Sequence, residues 1–208
     1  MSVQTPPVRT TWPETVTLRD GTEVYIRPIE PDDKDKLRLG FERLSRESRY
    51  RRFLTPMPRL SPRLVRYLTE IDHHDHEAMV AETVEGGEPV GVARYIRAHD
   101  DPTSAEVAVT VVDEWQGKGA ATALLRRLAM RAMDEGVDRV AATCLATNTD
   151  VLDLLEGVGD KTVTAREGDL VEIEVALPTS DEGMLRTALR RAASGMLRFR
   201  LPGERRRQ

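Results

Sequence analysis

Cysteine and aromatic residues are scarce in this chain of 208 residues. Cys144 is the single cysteine, which excludes an internal disulfide and predicts a reducing compartment. Aromatic residues make up 4% of the chain, with three Phe and two Trp. Aliphatic side chains must therefore fill most of the core.

Long apolar runs are also missing. No run of about eighteen apolar residues is present, so we expect no membrane span. Residues 1–12 lack the apolar segment of a signal peptide, and we expect a cytoplasmic protein. The charged content of 32% and the net charge of −4 are typical of a soluble protein. The length predicts one domain with short appendages.

The most informative stretch covers residues 106–122. β-Branched residues at positions 107 and 109–112 predict a strand, a Gly-Lys-Gly turn follows, and apolar residues at helical spacing predict a helix from Ala120 to Gly136. The first amide groups of a helix lack partners within it, and the helix dipole favours negative charge there. Glycines let the backbone approach a ligand closely. The stretch therefore predicts a phosphate-binding loop.

The spacing within this loop excludes two common phosphate-binding motifs. It lacks the Walker A spacing, and a dinucleotide fingerprint needs a third glycine where Thr122 stands. The Gln116-x-x-Gly119-x-Ala121 spacing instead resembles the Gln/Arg-x-x-Gly-x-Gly/Ala signature of the GNAT acetyltransferase superfamily. The alternative is an ordinary strand-to-helix turn whose glycines serve only its shape.

The resemblance implies a binding site for acetyl-CoA. Its pyrophosphate would be held by a run of seven residues: Gln116, Gly117, Lys118, Gly119, Ala120, Ala121 and Thr122. The backbone of the preceding strand at Val111 and Val112 would bind the pantetheine arm, and Asn148, at the start of the next helix, would face the cofactor. Lys118 can instead point to solvent, and Asn148 can instead be a plain helix cap.

The resemblance covers most of the chain, from about residue 16 to 178. Strand and helix signals follow in the order β-β-α-α-β-β-β-α-β-α-β-β, with one parallel crossover around the helix at 120–136. The expected fold class is α/β (α+β), a GNAT fold with a mostly antiparallel mixed sheet and helices on both faces. The predicted division is a flexible arm at 1–15, a GNAT acetyltransferase domain at 16–178 and a basic amphipathic extension at 179–208.

Transfer of an acetyl group to an amine requires a base, because most amines are ammonium ions at neutral pH. Glu106 is the best candidate, since it precedes Gln116 by ten residues, and an extended pantetheine arm spans a comparable length. Arg27-Pro28-Ile29 and residues 44–53 also resemble bacterial Pat-type protein lysine acetyltransferases, in which a Glu at this strand position is the base. The alternative is a Glu on a half-exposed strand face.

Three other features depart from the family pattern or suggest further chemistry. Leu155 stands where many family members have a Tyr that protonates the leaving thiolate, so we expect solvent to supply that proton.

The four arginines within residues 46–52 are either a solvated helix end or a basic wall near the substrate entrance. Three histidines within residues 73–76 do not have the spacing of a metal site, and we expect no metal.

The C-terminal segment has its own charge. Residues 181–208 contain eight arginines against three acidic residues, a net charge of +5 that leaves −9 on the rest of the chain. Apolar residues at helical spacing predict a basic amphipathic helix. We expect this helix to dock on the acidic body or to form a homodimer contact, and we expect no specific nucleic-acid partner.

These observations predict an acetyl-CoA-dependent N-acetyltransferase with Glu106 as general base. The first expected acceptor is a protein lysine, because an acidic body attracts cationic substrates. The second is a small amine, an amino acid or a polyamine, which a deep closed pocket would favour over an open groove. A non-catalytic acyl-CoA-binding regulatory protein is the third possibility, and Glu106 argues against it.

Overall fold

The computed structural model describes residues 13–156 and 158–178, and within them the chain forms eight strands and five α-helices. The strands are β1 (Glu14–Thr17), β2 (Glu23–Pro28), β3 (His76–Thr83), β4 (Pro89–Arg97), β5 (Ser104–Val111), β6 (Arg139–Leu145), β7 (Asp160–Glu167) and β8 (Leu170–Ala176). The helices are α1 (Lys34–Glu42), α2 (Arg46–Phe53), α3 (Pro62–Thr69), α4 (Ala120–Asp134) and α5 (Thr149–Glu156). No helix in these two ranges has the length and apolar character needed to cross a bilayer.

The strands form a single sheet in the order β1-β2-β3-β4-β5-β6-β8-β7. Strands β5 and β6 are parallel, whereas the other neighbouring pairs are antiparallel. Helix α4 connects β5 to β6, because a parallel pair needs a long crossover. The predicted mixed sheet with its crossover at 120–136 is confirmed.

Helices cover both faces of the sheet, which is also as predicted. Successive side chains of a strand point to opposite faces. Val92 and Arg94 of β4 therefore lie on the face covered by α1 and α2. Tyr95 lies on the other face, with the apolar residues of α4. The main core fills the space between the sheet and α4.

Three helices, and not the predicted two, lie between β2 and β3. Residues 46–53 form the separate helix α2, because the Ser45 hydroxyl caps its first turn by accepting a hydrogen bond from the Ser48 N–H at 3.1 Å. The helix ends at Leu54, whose φ of 53° is left-handed. The arginine-rich segment is thus an element of its own.

The first strand begins earlier than predicted. Glu14 and Thr15 pair with Ile26 and Tyr25, so β1 overlaps the predicted flexible arm at 1–15 by two residues. The Glu14 carboxylate also accepts hydrogen bonds from Arg127 at 2.9 and 2.6 Å, which fixes the strand against α4. Residues 1–12 of the predicted arm lie outside the described residues. The predicted basic extension at 179–208 lies outside them as well.

Candidate functional site

Strands β5 and β6 pair over only a short length. Their parallel ladder joins Ser104, Ala105 and Glu106 to residues 139–141, although β5 continues to Val111 and β6 to Leu145. Beyond Glu106 the two strands have no further ladder pairs, and we call the region between their unpaired parts the fork. Glu106 marks its closed end, and the carboxyl ends of both strands mark its open end.

The backbone of β5 presents alternate residues to the fork. The Val112 N–H donates to the Val90 carbonyl at 3.0 Å, so the backbone of Val112 faces β4 and is already paired there. Backbone groups alternate in direction along a strand, which turns Val109 and Val111 toward the fork. The Val111 carbonyl accepts a hydrogen bond from the Gln116 side chain at 3.0 Å, consistent with that direction. The backbone of Val111 therefore faces the fork, whereas the backbone of Val112 does not. Val109, which was not predicted, also faces the fork.

The predicted phosphate loop lies at the open end of the fork. Gly117 and Gly119 have φ angles of 74° and 97°, in the left-handed region that favours glycine. Gly119 occupies the N-cap position of α4, and the helix begins at Ala120. The first N–H groups of α4 have no acceptor within the helix, and they belong to Ala120, Ala121 and Thr122. These donors and the positive end of the helix dipole fit a phosphate group.

Basic side chains flank this loop. The Lys118 ammonium lies 3.6 Å from an Asp20 carboxylate oxygen and 4.5 Å from the centre of the Trp115 ring. The Arg19 N–H donates to the Lys118 carbonyl at 2.9 Å. A Cβ atom at Gly119 would lie 3.1 Å from Cγ of Arg19, so these two residues are in close contact. Arg19 was not predicted, because only the fold brings the β1–β2 turn to the loop.

Gln116 connects the loop to α2. Its side-chain amide lies 3.3 Å from both the Asp113 carboxylate and the Ser48 hydroxyl. The Ser45 N–H at the start of α2 donates to the other Asp113 oxygen at 3.2 Å. The side chain of Gln116 therefore holds the strand end and α2 together.

Asn148 also lies at the open end of the fork. It is buried, it follows β6, and it precedes the first residue of α5. Parallel strands have their carboxyl ends at the same edge of a sheet, so the loop at 116–122 and Asn148 meet there. The structure thus brings the predicted cofactor residues together at one end of the fork, and it places Glu106 at the other.

Glu106 is exposed and lies on the face of the sheet covered by α1 and α2. It pairs with Ile96 on β4 and with Ala141 on β6, and cross-strand partners share a face. The carboxylate of Glu106 interacts electrostatically with Arg52 on α2. Burial lowers the pKa of Arg52, and the Glu106 charge opposes that shift. A carboxylate at this point is accessible to a substrate on the α1–α2 face.

A cavity of about 740 Å³, including the part open to solvent, lies between the α1–α2 face of the sheet and these helices. We call it the helix–sheet cavity. Its apolar wall consists mainly of Leu37, Phe41, Leu44, Phe53, Val80 and Val92. Its polar groups include Arg27, whose guanidinium bonds both carboxylate oxygens of Asp33 at 2.7 Å. Arg52 and Arg94 also line it.

Arg94 is buried, and its described hydrogen-bond partners are neutral. It donates to the Leu68 carbonyl at 3.3 Å, and it lies 2.9 Å from Nε2 of His76. Burial first, and the charge of Arg52 second, lower the pKa of Arg94 to about 9. Burial and the Arg94 charge lower the pKa of His76 to about 4, so this imidazole is neutral and accepts the hydrogen bond. Arg94 was not predicted as a site residue, although a charged residue inside the apolar strand at 90–96 was a signal.

The other residues considered from the sequence have structural contacts. Leu155 is buried in the core on the α4 face. Burial raises the pKa of the Cys144 thiol, which argues against a nucleophile. His73 and His74 lie 2.8 and 2.6 Å from the carboxylates of Glu77 and Glu135.

In the part of the chain that the structure describes, no group of three or more His, Cys, Asp or Glu side chains is arranged to hold a metal ion.

Comparisons with known proteins agree with this architecture. The model of the Acetyltransferase (GNAT) family matches residues 41–159. Acetyltransferase Pat of Mycolicibacterium smegmatis is 33% identical over 169 residues, which are 81% of this chain but only 50% of that protein. Acetyltransferase PA5475 of Pseudomonas aeruginosa is 35% identical over 145 residues, 69% of this chain and 77% of that protein. The crystal structure of the GNAT domain of S. lividans PAT has a TM-score of 0.73 at 36% identity and covers 80% of this chain and 97% of that one. The chain therefore belongs to the GNAT family of acetyltransferases.

Proposed function

We propose that the protein transfers an acetyl group from acetyl-CoA to a primary amine, with Glu106 as general base. The observation that carries this proposal is the fork, which has a glycine turn and the N-terminus of α4 at its open end and an exposed carboxylate at its closed end. About ten residues of β5 and its following turn separate the two ends. A pantetheine arm has the length to connect them.

The donor is held mainly by backbone groups in this proposal. The N–H groups at the start of α4 bind the pyrophosphate, while the backbone of Val109 and Val111 pairs with the pantetheine amides as an added strand would. In this proposal a fork-facing N–H of β5 also stabilises negative charge on the thioester oxygen. Asn148 and Lys118 are further candidates for contacts at the open end.

Glu106 then makes the amine nucleophilic. Its carboxylate takes a proton from the ammonium group, directly or through a water molecule, and the free amine attacks the thioester carbon. The new C–N bond forms as the C–S bond breaks, and CoA leaves as a thiolate. Solvent protonates the thiolate, because the position where many family members have a Tyr is the buried Leu155.

The first proposed acceptor is a protein lysine. The similarity to two Pat proteins supports it, and so does the net charge of −9 on the chain outside residues 181–208. A small-molecule amine is the second candidate, because the helix–sheet cavity lies on the face to which Glu106 belongs. The cytoplasmic location and the homodimer contact through residues 179–208 stay predictions from the sequence.

Thermal unfolding with saturating acetyl-CoA tests the donor, with ATP and NADH as controls. A ligand at about 100 times its dissociation constant stabilises a protein by roughly 2.7 kcal/mol, which is readily measured. We expect a shift with acetyl-CoA that neither control reproduces, followed by acetylation of a lysine peptide or an amine. Absence of a shift with acetyl-CoA would contradict the proposed donor site.

A further inference from the structure

Two arginines line the helix–sheet cavity without a carboxylate at ion-pair distance among the residues that the structure describes. Arg94 contacts a carbonyl and a neutral imidazole, and the Arg52 guanidinium lies 5.0 Å from the centre of the Phe53 ring. Among the residues that the structure describes, no carboxylate lies within ion-pair distance of either guanidinium. Arg27 in the same cavity shows the contrast, since Asp33 and Glu82 both pair with it.

An unpaired charge of this kind favours an anion in the cavity. Removing a cation from water is costly unless an opposite charge or good hydrogen bonds replace the water. The pKa of Arg94 is lowered to about 9, which shows that its present surroundings disfavour the charged form. A planar guanidinium matches the geometry of a carboxylate, which it binds through two parallel hydrogen bonds.

The arginine pair lies beside the proposed general base. Arg94 is opposite Ala108 on β5, and Glu106 is two residues farther along the same strand, on the same face. Such diagonal neighbours have Cα atoms roughly 7–8 Å apart. Arg52 is near enough to Glu106 for the two charges to interact. An amine at Glu106 and an anion at the arginines can therefore belong to one small molecule.

We propose that Arg52 and Arg94 bind the carboxylate of a small acceptor, an amino acid whose amine lies at Glu106. The methylene or side-chain carbons of this acceptor contact the apolar wall of the cavity. The inference rests on the proposed function, since it uses the same donor and the same base. It narrows the small-molecule alternative to amines that carry a carboxylate.

The test compares ω-amino acids with their amides as acceptors for the full chain. Glycine, β-alanine, 4-aminobutyrate, 5-aminopentanoate and 6-aminohexanoate scan the spacing between amine and carboxylate, and each amide removes only the negative charge. We expect at least one acid to exceed its amide in kcat/KM by about tenfold or more, because the amide leaves the arginines unpaired.

Arg52→Gln should remove this preference by raising KM for the acid while changing kcat little. The readout is the ratio of kcat/KM for the acid to that for its amide within each protein, because Arg52 also interacts with the charge of Glu106. Arg51→Gln is the matched control: Arg51 is the neighbouring residue and forms a surface pair with Glu47 at 2.5 Å, so its replacement should preserve the preference. Arg52 is used because the more deeply buried Arg94 also supports the fold through Leu68 and His76.

The outcomes separate this inference from the proposed function. Acetylation of a lysine peptide together with equal rates for acids and amides would overturn the inference and leave the function intact. Binding can be measured even if the protein acetylates none of these acceptors. An amino acid should raise the midpoint of thermal unfolding of the unaltered protein, whereas its amide should not. Neither compound should raise the midpoint of Arg52→Gln. No such difference in binding would overturn the inference independently of transfer.

Discussion

At the scale of single residues, the carboxylate of Glu106 should control the chemical step. Glu106→Gln keeps the size of the side chain but removes the base, so we expect kcat at pH 7 to fall by about 10²- to 10⁴-fold. The thermal shift with acetyl-CoA should persist, because the phosphate loop is unchanged. An unchanged transfer rate would contradict the assignment. Glu23→Gln on β2, an exposed strand carboxylate three strands away, is the matched control.

His76 should make stability depend on pH. Its pKa is about 4 in the folded protein and near 6.5 when unfolded, so the unfolded chain binds the proton more readily between these values. Stability is therefore lost as pH falls from 6.5 toward 4.

His76→Gln removes this titration and keeps an acceptor for Arg94. Between pH 7 and 4.5 the variant should lose about 2 kcal/mol less unfolding free energy than the unaltered protein, measured by urea denaturation at each pH. Equal losses would show that burial of His76 does not control this dependence.

Residue-level prediction succeeded where a motif fixes the local backbone. The left-handed glycines and the start of α4 follow from the spacing of the loop itself. The orientation of Val112 depends on the point at which β5 leaves its hydrogen-bonded ladder, and a sequence does not show that point. The position of Arg94 in the site depends on the same long-range pairing, because only the sheet places this residue opposite Ala108.

At the scale of elements, position 119 at the start of α4 should tolerate no side chain. Gly119→Ala introduces a Cβ at a φ of 97° and at 3.1 Å from Cγ of Arg19. The strain of a left-handed residue is roughly 1–2 kcal/mol, and a distorted loop should weaken acetyl-CoA binding by about fivefold or more, measured by calorimetric titration.

Gly136→Ala is the control for this backbone effect. Gly136 has a φ of 80° just beyond the C-terminal end of α4, and a Cβ there meets no atom within 4 Å. We expect a similar loss of stability with unchanged acetyl-CoA affinity. Equal affinity for both variants would mean that the conformation at Gly119 does not matter for the donor.

Helix α2 shows why element prediction failed between β2 and β3. None of its described residues is fully buried, so it lacks the apolar periodicity that identifies a helix in sequence. Its first turn depends on the Ser45 cap, and it contributes Arg52 and Phe53, with no aliphatic side chain, to the helix–sheet cavity. The strands and the longer α4 have clear patterns and were predicted correctly.

At the scale of the whole molecule, the charge of the chain should affect cationic acceptors. The net charge is −4, and we expect KM for a lysine peptide flanked by basic residues to rise with ionic strength, because salt screens long-range attraction. A neutral-flanked peptide with the same lysine should show a smaller rise. Identical salt dependence of both peptides in steady-state assays would contradict an electrostatic contribution.

The sequence of strands along the chain and the single crossover were predictable from the whole sequence. Alternation, turn residues and one long helix between two strands leave few arrangements. The fork itself was not predictable without the family resemblance, since it arises where pairing between β5 and β6 stops after three residues on each strand.

We expect that short ladder to divide the sheet into two cooperative units, β1–β5 and the group of β6, β8 and β7. Among the described residues, backbone hydrogen bonds between the two groups are confined to residues 104–106 and 139–141 and the loops beside them. Local opening along this seam needs less free energy than global unfolding. A donor bound in the fork would join both units. Amide hydrogen exchange in β6 and β8 should therefore slow when acetyl-CoA is added, even at positions far from the molecule itself.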